Sequence, residues 1–158
     1  MENLRPTFLT VLCILTFIGS GFGIYSAISN YTQAGMTSEL TKDAMEQSRD
    51  QIEESADEKS AEIVNKMLDS VESNLTEDKV RDGAIASGIA NILTLVGAVL
   101  MWGLNKKGFY LYLIGALVSV VAPLFIYDGI LSAIASAGIG FFSIIFCVLY
   151  FVNLKHLR

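Results

Sequence analysis

Few side chains in this sequence suit bond-making chemistry, and their spacing does not assemble them. His156 is the only histidine and sits in the tail Lys155-His156-Leu157-Arg158; Cys13 and Cys147 are the only cysteines. Two thiols without a histidine cannot close a tetrahedral metal site. Serines and threonines are plentiful, but a hydroxyl nucleophile needs a base held beside it, and no histidine or aspartate is placed to serve. The carboxylates are concentrated in residues 31–82, yet they do not form the D-x-D-x-D-G pattern of a calcium loop. The sequence therefore predicts no catalytic residue, no metal and no cofactor, and so no enzyme. What remains is neutral polar chemistry. Ser87, Asn91 and Thr94 repeat at helical spacing on one face of an apolar stretch. An amide in such a place either bonds across to another helix or lines a small polar path.

The elements that carry these groups follow from hydropathy. Of 158 residues, 53% are apolar and 17% charged, against about 45–50% and 25% in soluble domains. That composition excludes a disordered chain, a disulfide-stapled secreted module and a basic nucleic-acid binder. Four stretches carry no Asp, Glu, Lys, Arg or His: Phe8–Ile28, Ile85–Leu104, Phe109–Tyr127 and Leu131–Val152. Each has the roughly 20 residues a helix needs to cross a bilayer. None alternates apolar with polar as a barrel strand would. The fold class is thus an all-α integral membrane protein: four transmembrane helices with a helical extramembrane insertion between the first and second. The first stretch is too long for the roughly 7–15-residue core of a removable signal peptide and reads as an uncleaved anchor. The links 105–108 and 128–129 are short and force antiparallel neighbours. Residues 1–30 hold the first transmembrane helix, 31–82 the acidic insertion and 83–158 a set of three helices joined as hairpins.

Lysine and arginine in short loops favour the cytoplasm. Arg5, Lys106, Lys107, Lys155 and Arg158 all fall on one side of four spans, which predicts cytoplasmic termini and residues 31–82 outside. Lys79 and Arg81 run against that bias but are interleaved with Glu77, Asp78 and Asp82. Tyr25, Tyr31 and Tyr127 would mark the outer interface; Trp102, Phe109, Tyr110, Tyr112, Tyr150 and Phe151 would mark the inner one.

Residues 31–82 hold six Lys/Arg against fourteen Asp/Glu, a net charge of −8. From Met36 to Asp82 they contain no Pro or Gly and favour helix. Thr37 or Ser38 is expected to cap a first helix, and Thr76 one that runs on into the second span. Val64, Leu68, Val71 and Leu75 make an apolar stripe with Ile63 and Met67 beside it. Leu40, Met45, Ile52 and Ala56 make a thinner one in a different register, so a break is expected near 55–60. The stripes either close on each other as a hairpin, meet a second copy or dock on a partner. The acidic surface reads as a solvated face. Asn30-Tyr31-Thr32 and Asn74-Leu75-Thr76 match the glycosylation pattern.

Small residues recur every four positions: Gly19, Gly23 and Ala27; Ser132, Ser136 and Gly140; Gly115 and Ser119. Such faces let helices approach closely in lipid. They serve packing within the bundle or an interface with other subunits.

The run Met101-Trp102-Gly103-Leu104-Asn105-Lys106-Lys107-Gly108-Phe109-Tyr110-Leu111-Tyr112 and the ending Tyr150-Phe151-Val152-Asn153-Leu154-Lys155-His156-Leu157-Arg158 resemble small uncharacterised four-span inner-membrane proteins of the Bacteroidota. The resemblance covers spans two to four. It implies a bacterial inner membrane and carries no activity or site residues. Tetraspanin-like and claudin-like proteins place cysteines in their outer loops, and this loop has none. The expected role is a non-enzymatic structural or accessory membrane protein that self-associates or joins a larger membrane complex, with the lipid bilayer and other subunits as partners and no nucleic acid. The alternative is a small oligomeric channel or transporter with a path lined by Ser87, Asn91 and Thr94.

Overall fold

The computed structural model describes residues 6–55 and 57–157. Expectations resting on Arg5, Ala56 and Arg158, and on the His156 side chain, lie outside the described residues. Within them every regular element is a helix: α1 (Thr7–Thr32), α2 (Ala34–Ser55), α3 (Glu58–Asn74), α4 (Glu77–Trp102), α5 (Lys107–Ile126) and α6 (Gly129–Asn153), with a closing 3-10 turn at Leu154–His156. α1, α4, α5 and the Ser132–Asn153 part of α6 are long and apolar enough to cross a membrane, the signature of a multi-pass membrane protein.

Local sequence sets each boundary. Pro6 precedes α1, where a residue without an N–H loses nothing. The Thr76 hydroxyl accepts from Lys79 N at 3.4 Å and caps α4, as expected. Thr37 and Ser38 cap nothing, which corrects the expectation for them. α1 passes into α2 through Gln33 alone, and Thr37 N already donates to the Gln33 carbonyl at 2.8 Å. With no free N–H groups to cap, the Ser38 hydroxyl turns back to the Gly35 carbonyl at 2.8 Å. α4 ends in a Schellman turn: Leu104 N donates to Met101 O and Asn105 N to Leu100 O, both at 2.9 Å. Leu104 takes the left-handed position there, with φ 61°, where glycine is usual. Its side chain packs against the core.

α4 lies between α1 and α5, α6 packs on the far side of α5, and α1 touches α6 only lightly. The α4–α5 contact is backbone on backbone. A methyl group on Gly97 would lie 2.7 Å from Tyr112 N, and one on Gly108 2.7 Å from Met101 N. Small residues make such approach possible in lipid. The apolar core gathers toward the end of the bundle where α1 starts and α6 finishes, around Leu9, Leu12, Met101, Phe109, Tyr112 and Tyr150. Toward the opposite end the buried apolar residues of α1 and α4 are alanines, Ala27, Ala84 and Ala90.

That opposite end carries α2 and α3, paired as a hairpin. The break falls between Ser55 and Glu58, where Asp57 caps α3 by accepting from Ser60 N at 3.3 Å. Those bonds hold the Asp57 carboxyl below the usual range. Arg49 on α2 reaches Asp69 at 2.5 Å and Glu72 at 3.2 Å on α3, and their hydrogen bonds and charges hold its guanidinium more firmly protonated. Val64, Leu68, Val71 and Leu75 are half-buried, while Ile63 and Met67 are each 55% exposed. The predicted stripe thus lies against the chain's own helices, and its neighbours face outward.

Candidate functional site

Two polar constellations stand out. The first ties the hairpin to the bundle. Asn74, the last residue of α3, is 1% exposed. Its Nδ2 donates to Ser70 O at 2.6 Å and to Asp128 O at 3.0 Å. Its Oδ1 accepts from Asp128 N at 2.6 Å and from Lys79 Nζ at 3.2 Å. Lys79 Nζ also meets the Asp128 carboxylate at 2.6 Å. One amide thereby joins α3, the start of α4 and the turn between α5 and α6. The Asn74-Leu75-Thr76 pattern has this structural use, and a buried amide with both ends engaged leaves no room for a glycan. Arg81, the other cation of this region, pairs with Glu77 at 2.7 Å and lies 5.7 Å from the centre of the Tyr31 ring.

The second constellation is an open cleft where α1, α4, α5 and α6 meet. Ser87, Asn91 and Thr94 of α4, singled out in the sequence, do share one face. The structure brings Thr16 and Ser20 of α1, Ser119 and Tyr112 of α5, and Ser143 of α6 to the same space, a chamber of about 340 Å³. A second chamber of about 430 Å³ continues toward the hairpin end and shares Ser87, Ser119 and Ile139 with the first. Its wall is mostly apolar, with Asn30, Thr37 and Tyr127 among its polar members. Both volumes fall in the range of about 300–1,000 Å³ usual for ligand pockets. Toward the end where α1 starts and α6 finishes, the Thr16 and Tyr150 hydroxyls bond at 2.7 Å, and the Tyr112 and Tyr150 rings pack with centres 4.8 Å apart.

The small-residue faces serve mainly to build this bundle. A side chain on Gly23 would run into the Asn91 amide, and one on Gly115 would lie 2.9 Å from Ala90 O. Ala27 is buried, and a methyl on Gly88 would meet it at 3.6 Å. Gly140 faces Val120, at 3.7 Å from a methyl placed on it. Ser119 and Ser132 bond to carbonyls of their own helices, both at 2.8 Å. Ser136 is buried and its hydroxyl has no partner. Gly19 differs from these: a methyl there meets nothing within 4 Å, and Gly19 is exposed and lines the first chamber.

Sequence reasoning did not assign Thr16, Ser20, Tyr112 or Ser143 to this cleft. The four-residue spacing of Thr16 and Ser20 on one helical face was the available signal. For the hairpin tie, the signal was Asp128, the one carboxylate in the short links between apolar stretches. Among the described residues no three His, Cys, Asp or Glu side chains gather to hold a metal ion. Cys13 and Cys147 form no disulfide. The chain matches no family model, and no curated protein or solved structure matches it.

Proposed function

We propose that this chain is a non-enzymatic accessory protein of a bacterial inner membrane, which joins a larger membrane complex or a second copy through its α2–α3 hairpin. Both termini are cytoplasmic and residues 31–82 face the other side. The observation that carries the reading is on the hairpin. Met36 and Leu40 are each 62% exposed, and Ile63 and Met67 each 55%, in a segment of net charge −8. Lone exposed apolar side chains are ordinary. Here they sit on helices already paired and tied down, so closing the hairpin does not cover them. The pairing of Lys79 with Asp128 and of Arg81 with Glu77 neutralises the two cations that run against this orientation. The bacterial inner membrane is what the resemblance to four-span proteins of the Bacteroidota implies.

Cross-linking in native membranes followed by mass spectrometry tests it. Cross-links from α3 to another chain are expected, and they vanish in Ile63→Glu/Met67→Glu while helix content stays constant. A strictly monomeric chain that captures nothing from membranes refutes it.

A channel or transporter is the second reading, favoured by the hydroxyls and amide that line the cleft. On that reading the Thr16–Tyr150 contact is its gate. Flux in liposomes that is unchanged in Asn91→Leu removes it.

A further inference from the structure

The chemistry of the cleft wall specifies an occupant. Among the described residues no lining side chain of either chamber carries a charge, so an ionic head would enter without a counter-charge and at high cost. The protons of the wall are largely committed to the protein. Thr94 donates to Asn91 O at 3.0 Å, so in the 3.0 Å pair of Ser20 with Thr94 the proton comes from Ser20. Ser119 donates to Ala116 O at 2.8 Å. The Asn91 Nδ2 donates to Ser87 O at 2.8 Å and to Ser87 Oγ at 3.3 Å. Each hydroxyl has one proton but two lone pairs. Ser20, Thr94 and Ser119 therefore offer the cleft acceptors, while Ser87 and Ser143 can give or take a proton. A carbonyl or ether head, which only accepts, is served by Ser87 and Ser143 but meets lone pairs at Ser20, Thr94 and Ser119. An alcohol, which donates and accepts, is matched.

Access points to the source. The first chamber is bordered by Leu15 and Gly19 on α1 and by Ile139, Ser143 and Phe146 on α6, two spanning helices that touch only lightly. The seam faces lipid. The second chamber offers Val80, Ala84, Ala122, Pro123 and Ile126, an apolar wall for hydrocarbon.

We infer that the cleft is a binding site for an uncharged, hydroxyl-headed ligand of the glycerol type, entering sideways between α1 and α6. The head lies among Ser20, Thr94, Ser119 and Ser143. The same head chemistry occurs in a diacylglycerol-type lipid and in free glycerol, and the test separates them. This site does not depend on the hairpin having a partner, because the purified chain alone is the target.

The experiment uses the full chain in phosphatidylcholine vesicles with a photoreactive diacylglycerol, the same compound acetylated at its free hydroxyl, and a photoreactive phosphatidylcholine. Mass spectrometry maps the label. The diacylglycerol is expected to label residues 15–20, 87–94 and 139–146, about tenfold above the acetylated compound, the ratio for one hydroxyl's hydrogen bonds. Gly19→Leu, whose added side chain starts in open space, closes the seam and removes the label with helix content and melting unchanged. Ser143→Ala lowers it with the fold intact. Excess free glycerol that displaces the label assigns the site to the free polyol; label that persists assigns it to the lipid. Equal labelling by all three probes, or label undiminished in Gly19→Leu, overturns the site.

Discussion

Replacing Asn74 by alanine tests how the hairpin is held. The substitution removes four hydrogen bonds and leaves the Asp128 N–H without its partner. A hydrogen bond contributes about 1 kcal/mol net, and a buried group left unpaired costs about 1–3 kcal/mol. The bonds share one amide and do not add fully, so the expected loss is about 3 kcal/mol, or about a hundredfold in the equilibrium for opening. Asp128→Ala gives the contrast. It keeps the backbone N–H and carbonyl that Asn74 uses and removes only the ion pair with Lys79. The Asp128 side chain is 82% exposed, and such pairs contribute about 0–1 kcal/mol, at most about fivefold. Hydrogen exchange on the full chain in mild detergent reads both. In Asn74→Ala the amides of α3 are expected to exchange about a hundredfold faster, with α4 and α5 unchanged. Exchange in α3 within threefold of the parent chain, or faster exchange everywhere, refutes the reasoning. So does an Asp128→Ala effect as large as that of Asn74→Ala.

Three further outcomes follow from the same geometry. Thr16→Val and Tyr150→Phe each remove one side of the bond that fastens α1 to α6. Each is expected to lower stability by about 1 kcal/mol, with the double variant little worse than either alone; additive losses in a double-mutant cycle of detergent melting would show that the two hydroxyls act separately. Gly23→Leu drives a side chain into Asn91 and is expected to separate α1 from α4, whereas Gly19→Leu is tolerated; equal melting of the two contradicts the assigned packing. The Asp57 carboxyl is held below its ordinary range by Ser60, so its stabilisation of α3 is complete above the unfolded carboxyl's pKa. It is lost as pH falls through the lowered folded value. The circular-dichroism signal should weaken over that acid window, and Asp57→Asn should flatten that part of the titration.

The spans were legible because uncharged runs of this length, without the alternation of barrel strands, are stable in lipid as helices. The break after Ser55 was legible because the two stripes differ in register. The start of α2 was not. Thr37 and Ser38 look like caps in isolation, and only the near-continuity of α1 with α2 removes the N–H groups they would have served. The polar trio Ser87, Asn91 and Thr94 was visible from spacing, but its surroundings were not. Which face of α1 meets α4 depends on Gly23 accepting the Asn91 amide, a fit of shapes that hydropathy does not encode. The role of Asn74 was not legible for a related reason: the partner that buries it lies 54 positions away in sequence.

The backbone contact at Gly97 and Gly108 also bears on how the chain is assembled. The two glycines are 11 positions apart, so the loop that closes them is short and costs little chain entropy. α4 and α5 are therefore the natural first pair, able to form as soon as both have left the ribosome. α1, made earlier, must wait for them beyond an insertion of about fifty residues, and α6 arrives on a finished surface. A bulky residue at either glycine would do more than loosen one contact: it would leave the later arrivals without a template.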